Sequence, residues 1–212
     1  MFKTSLYAEI VGMILLTGSV LRSQGQNFEG LIVYHNEFKS KTSKIRDSTF
    51  KVELGDKQEY YIKNNNYKSI YNGKYLKFQL YKGDLNKAFI LAGHSDTIRE
   101  EDYNKGNRVL NCVINEDADT VMNVPCNELI LITVVGITHY YFNPKYQADS
   151  LLFKNHSYSN WNYILSKTNS LPMKIIYENE QFISTSTAIQ IVPMHLKETF
   201  FDLPKSYPVV SK

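Results

Sequence analysis

Apolar and polar residues alternate along much of this chain with a period of two. That spacing puts one side of a β-strand in a core and the other in water. Between Phe28 and Phe38, the residues Phe28, Ile32, Tyr34 and Phe38 share one face. Glu29, His35 and Glu37 take the other, with Leu31 and Val33 as apolar exceptions. The pattern predicts a half-buried strand. After a polar stretch from Lys39 to Ser48, short runs recur at Thr49–Leu54, Glu59–Lys63, Tyr67–Tyr71, Leu76–Leu80 and Lys87–Ala92. Gly55-Asp56, Asn64-Asn65-Asn66, Asn72-Gly73 and Lys82-Gly83-Asp84 separate them. Asn72-Gly73 is the strongest hairpin signal, because a type I′ turn needs positive φ at both central residues. Residues 49–92 therefore read as a meander of antiparallel strands, each with one wet face. His94 to Asn107 is charged and irregular, and reads as a surface loop or a poor helix.

The second half adds longer elements. Leu129 to Val135 is apolar except for Thr133, as in a strand covered on both faces. Ile137 to Phe142 continues it or pairs with it, and Asn143-Pro144 stops it. Ala148 to Phe153 suggests a short helix. Trp161, Ile164 and Leu165 lie at helical spacing behind a cap at Ser159 or Asn160, which suggests a second. Pro172 to Tyr177 puts Met173, Ile175 and Tyr177 on one strand face. In Gln181 to Val192 five β-branched residues, Ile183, Thr185, Thr187, Ile189 and Ile191, share a face. Leu196 to Pro204 carries Phe200 and Phe201 toward something apolar. The expected fold is mainly β (α+β): a curved antiparallel sheet or open half-barrel covered by one or two short helices. With no internal repeat or linker, residues 26–212 read as a single domain.

Composition supports a real core. The chain of 212 residues is 43% hydrophobic, with 16 Tyr, 11 Phe and 1 Trp. Net charge is only +3 and the basic residues are scattered, so no nucleic-acid footprint is expected. Residues 1–25 read as a signal peptide: Lys3, an apolar run from Ile10 to Leu21, then Ser23-Gln24-Gly25. The run is short for a bilayer span, no cysteine offers a lipid anchor, and the mature chain is at most peripheral to a membrane. These features predict a periplasmic or secreted protein. In that compartment Cys112 and Cys126 are disulfide candidates. A hairpin turning about Asp119, in the polar run Asn115 to Thr120, would set them opposite each other. Closing a loop of about 15 residues would contribute about 3 kcal/mol. Two buried thiols are the alternative.

The sequence holds no phosphate loop, nucleophile elbow or zinc spacing. His35, His94, His139, His156 and His195 are far apart along the chain. No enzyme, metal or cofactor is expected. The aromatic set of the 137–180 segment is the remaining lead. Tyr140, Phe142, Leu152, Phe153, Tyr158 and Trp161 are candidate ligand contacts around an apolar cavity, and plain core packing is the alternative.

Three stretches carry a resemblance. They are Val124-Pro125-Cys126-Asn127-Glu128-Leu129; Tyr140-Tyr141-Phe142-Asn143-Pro144-Lys145-Tyr146 with Phe153 to Trp161 and Leu171-Pro172-Met173-Lys174-Ile175; and Phe200-Phe201-Asp202-Leu203-Pro204. In that order they resemble secreted, uncharacterised Bacteroidota proteins of the GLPGLI type. Ser170-Leu171-Pro172-Met173 stands where that motif has glycines. More distantly the chain is similar to the LolA-like lipoprotein-carrier superfamily, a half-barrel covered by helices around an apolar cavity. The resemblance implies an exported cell-envelope module. Such a module would hold a lipid, acyl chain or hydrophobic peptide under a cover at residues 144–170. The alternative is a structural or interaction protein with a filled core.

Overall fold

The computed structural model describes residues 26–211. The expected signal peptide lies outside the described residues. The elements are β1 (Gly30–Ser40), α1 (Asp47–Leu54), β2 (Lys57–Lys63), β3 (Asn66–Tyr71), β4 (Leu76–Lys82), β5 (Lys87–Ala92) and β6 (Ile98–Asp102). They continue with β7 (Val109–Val121), β8 (Val124–Thr133), β9 (Gly136–Gln147), α2 (Trp161–Thr168), β10 (Ser170–Glu178), β11 (Phe182–Pro193) and β12 (Val209–Ser211). Short 3₁₀ turns at Ser150–Phe153, Tyr158–Asn160 and Glu198–Phe201 complete the path.

All twelve strands form one open sheet in the order β12-β6-β5-β4-β3-β2-β1-β11-β10-β9-β8-β7. Every pairing is antiparallel except β12 on β6. The chain lays β1 to β6 outward in one direction. It then crosses to the far edge at β7 and works back until β11 pairs with β1. That crossing dictates the curvature. Ten strand steps separate β6 from β7, about 48 Å in a flat sheet. From Asp102 to Val109 an extended chain reaches only about 25 Å. The sheet has to curl until its two ends approach.

Curling gives the sheet an inner and an outer face, and alternation sorts the side chains between them. On the inner face Ile32, Tyr34, Tyr67, Tyr81 and Ala88 pack with Phe153, Leu165 and Leu171. On the outer face Leu80, Phe89, Leu91 and Ile98 pack under Leu196 and Phe201 of the C-terminal segment. Neighbours Leu80 and Tyr81 are 0% and 1% exposed, so β4 is buried on both sides. Lys63 ties the C-terminal segment down, donating to the Leu196 carbonyl at 2.5 Å and lying 3.3 Å from Glu198. A third cluster joins Leu129, Leu131, Tyr140 and Phe142 to Ile164 of α2. Among the described residues no helix is long and apolar enough to cross a membrane.

Several local expectations are corrected. Residues 49–54 belong to α1 rather than to a strand. In so short a window Phe50 and Leu54 also fit an i, i+4 spacing. Phe50 packs on Phe38 and Phe182, with ring centroids 6.1 and 5.1 Å away. Neither Asn72 nor Gly73 has positive φ, and four residues join β3 to β4. Gly73 is required there for close approach, since a Cβ would lie 2.4 Å from the Leu54 backbone. The irregular 94–107 stretch contains β6.

The disulfide expectation fails for a related reason. The β7–β8 turn falls at Met122 and Asn123, with φ of 51° and 61°, and not at Asp119. Cys112 therefore faces Leu131 and Cys126 faces Asp119. Both cysteines are free thiols. Cys126 is buried, 3.6 Å from the Met173 sulfur. The polar run at 116–118 is a bulge inside β7, not a turn. Denatured protein treated with iodoacetamide without reductant should therefore gain two carbamidomethyl groups by mass spectrometry. An unmodified mass would contradict the free thiols.

Candidate functional site

The segment between β9 and β10 covers the inner face. Asp149 starts it by accepting the Leu151 N–H at 2.9 Å, and the first turn drives Phe153 into the core. The chain then passes over the β6–β7 connection. The Ser157 and Tyr158 N–H groups donate to the Tyr103 carbonyl at 2.7 and 3.2 Å. Asn160 and Asn107 exchange two hydrogen bonds, of 3.0 and 2.7 Å. A Cβ at Gly106 would sit 2.7 Å from the Ser157 carbonyl oxygen, so glycine allows this approach. Ser159 and Asn160 both take left-handed backbone, with φ of 51° and 60°. That conformation is strained for serine and tolerated by asparagine. Then α2 buries Ile164, Leu165 and Thr168.

Between sheet and cover lies a cleft of about 270 Å³. The sheet contributes Tyr34 of β1, Gln58 and Tyr60 of β2, Tyr67, Ser69 and Tyr71 of β3, and Gln79 of β4. Its other half contributes Tyr140 of β9, Pro172 and Ile175 of β10, and Ser186 of β11. The cover adds His156, Tyr158, Ser159 and Trp161. In a flat sheet β4 and β9 would stand about 29 Å apart. Only the curl lets them line one cleft.

The aromatic walls support one another. Tyr60, Tyr67, Tyr81, Tyr103 and Tyr158 form a ladder with successive ring centroids 5.3, 5.1, 5.8 and 4.3 Å apart. Each such contact is worth about 0.5–1.5 kcal/mol beyond burial. The ladder runs from the cleft through the core to the exposed ring of Tyr158.

Polar groups are interleaved with these rings. Gln79 donates to the Tyr67 hydroxyl at 3.3 Å, and Tyr67 meets His156 Nε2 at 2.9 Å. Gln58 donates to Ser69 at 3.0 Å and to the Tyr71 hydroxyl at 3.3 Å. Tyr34 donates to the Pro172 carbonyl at 2.6 Å. Three lining residues keep a buried polar atom without a partner: the Tyr60 hydroxyl, His156 Nδ1 and Trp161 Nε1. Among the described residues no Asp, Glu, Lys or Arg lines the cleft. Burial pushes the His156 pKa down to about 4 and the Tyr34, Tyr60, Tyr67 and Tyr140 phenols up. The lining is uncharged at neutral pH.

Of the six residues expected to contact a ligand, Tyr140, Tyr158 and Trp161 line the cleft. Phe142 packs with Leu129, Leu131 and Ile164 instead. Phe153 lies beneath the cover, 6.3 Å from the Tyr81 ring and 6.4 Å from Trp161. Leu152 is half-buried against the same core. These three do not line the cleft. Sequence reasoning missed the β2–β4 wall. Its signal was the mixing of Gln58 with Tyr60 and Ile62, Ser69 with Tyr67 and Tyr71, and Gln79 with Tyr81 on single strand faces. A plain core face does not alternate amides and hydroxyls with rings. Among the described residues no three His, Cys, Asp or Glu side chains converge as a metal site requires.

No protein-family model matches the chain, and no curated protein sequence matches it. Among solved structures it is similar to an uncharacterised conserved protein from Thermus thermophilus. The two share 8% sequence identity and superpose with a TM-score of 0.53 over 87% of this chain and 91% of the other. That likeness concerns the fold.

His156 gives a measurable consequence. Its folded pKa of about 4 lies below the unfolded value near 6.5, so the unfolded chain takes up the proton first. Stability from this group is complete above about pH 6.5, is lost as pH falls toward about 4, and then levels off. The loss across that window is about 3 kcal/mol. Urea unfolding at several pH values should show a shallower acid slope for His156→Gln than for the parent. Equal slopes would show that His156 is not the group responsible.

Proposed function

We propose that this chain is an exported cell-envelope binding module that holds a small, uncharged, amphipathic ligand in the cleft beneath the 144–170 cover. The observation that carries the reading is the cleft itself. It is an unfilled space of about 270 Å³ whose walls combine aromatic faces with uncharged polar groups. Ligand sites of drug-like size run to about 300–1,000 Å³, so this one suits a single ring or a short chain. The aromatic and apolar part of the lining would suit an acyl chain. Gln58, Ser69, Gln79 and His156 argue for a more polar occupant, since an alkyl chain would meet their polar atoms without hydrogen bonding.

One observation favours the alternative reading, an interaction protein of the envelope. The long strand β7 ends the sheet, and its Leu110, Val113 and Ile114 are 55%, 42% and 46% exposed. Unpaired edge strands are templates for pairing with another chain.

The cleft reading is tested with a neutral solvatochromic dye such as Nile red, followed through its own emission and through Trp161, the one tryptophan. The parent protein should bind the dye saturably. Ser186→Phe places a ring in the cleft from β11 and should weaken binding about tenfold or more while leaving the melting temperature nearly unchanged. No saturable binding, or identical binding by the variant, would remove the cleft from consideration and leave the edge-strand reading.

A further inference from the structure

We propose that two copies of this chain pair through β7, antiparallel about a two-fold axis at Val113. The inference is independent of what the cleft holds. Among the described residues β7 ends the sheet, with β8 as its one strand partner. Met122 and Asn123 form a two-residue tip, so Val121 and Val124 bond each other. Every second residue of β8 from Val124 onward then turns its backbone toward β7. Glu128, Ile130 and Ile132 do so, and they face Asn115, Val113 and Asn111. The backbone groups of Cys112 and Ile114 are left pointing away from the sheet. The Cys112 N–H folds back onto Asn111 Oδ1 at 2.8 Å, a local substitute for a strand partner. Such an edge is a template for another strand.

The edge is self-complementary, which selects a second copy as the occupant. Its register is interrupted at Leu110 and again at 116–118, so the regular stretch is Asn111–Asn115, centred on Val113. An antiparallel copy turned about Val113 sets the two valines opposite each other. On the same side of the joined sheets Asn111 meets Asn115 of the second copy, amide against amide. On the other side Cys112 meets Ile114, apolar against apolar, and these two residues exchange the strand hydrogen bonds. Beyond the regular stretch, Arg108 of each copy comes beside Glu116 and Asp117 of the other. All three are exposed and enter no ion pair among the described residues. A parallel copy in register would set the acidic run against itself, and like charges directly opposite are destabilising. Pairing of β7 with β12 of another copy is head-to-tail and does not close, and β12 offers only three residues. A foreign strand would need the same basic-then-acidic order, which a second copy carries by construction.

The test is sedimentation velocity of the full chain over a concentration series. The parent should pass from monomer to dimer with a dissociation constant of about 10 µM, as a small edge contact allows. Val113→Lys puts two like charges at the axis and should weaken the dimer by about tenfold or more without lowering the melting temperature, since Val113 is 42% exposed. Arg108→Glu should also weaken it, and adding Glu116→Arg and Asp117→Arg should restore it. The register is read by cross-linking in a Cys112→Ser, Cys126→Ala background treated with the thiol oxidant diamide. Val113→Cys should give a disulfide-linked dimer, because opposed residues at the axis stand about 4.5 Å apart. Asn111→Cys should not, because its two copies stand about 14 Å apart. A parent that stays monomeric throughout the series overturns the proposal. So does a dimer that survives Val113→Lys, or one that Asn111→Cys links and Val113→Cys does not. Growth past the dimer overturns the two-fold contact as well. None of these outcomes bears on dye binding in the cleft.

Discussion

Chain reach against sheet width is the constraint on which the rest of this structure depends. Six residues join strands that would stand about 48 Å apart in a flat sheet. They cannot span it, so the sheet curls. An inner face, an outer face and a cleft all follow from that one mismatch. The connector does more than bridge. Tyr103 is 1% exposed and links Tyr81 to Tyr158 in the tyrosine ladder. Its carbonyl, together with Asn107, holds the cover in place. The segment that bends the sheet also positions the lid over the resulting hollow.

The cleft is held open by the materials of its walls. Large rings leaning on one another resist collapse, because each tyrosine of the ladder has a neighbour fixing its orientation. The phenols and His156 are kept neutral by burial, so the site gains polarity without charge. Most of that polarity is satisfied internally: Gln79, Tyr67 and His156 form a chain, and Gln58 joins Ser69 and Tyr71. Tyr60, His156 and Trp161 retain unused capacity. The amides and hydroxyls of Gln58, Ser69 and Gln79 separate the site from a simple apolar pocket.

The general architecture was legible in the sequence. Alternation identifies strands wherever one face is wet, and the spacing of Trp161, Ile164 and Leu165 identifies α2. It fails where two periods fit the same few residues, as at Thr49–Leu54, or where turn chemistry is ambiguous. Asn72-Gly73 has the composition of a type I′ turn, yet left-handed backbone appears at Met122 and Asn123. A shift of three to four residues in one hairpin tip was enough to separate Cys112 from Cys126. Their pairing depended on register, and register is set here by a turn at Met122-Asn123 that composition does not announce.

The sequence by itself determined a β-rich chain, its inward and outward residues, and the presence of one aromatic cover. Tertiary structure alone decided which inward residues meet. Trp161, Tyr158 and Tyr140 are close along the chain, and their convergence could be anticipated. Tyr60, Tyr67 and Gln79 are some 80 to 100 residues away from Trp161. They reach the same cleft only because a sheet of twelve strands is bent by a connector too short for its width. Local patterning specifies which face a residue takes. It carries no information about the curvature that brings distant faces together.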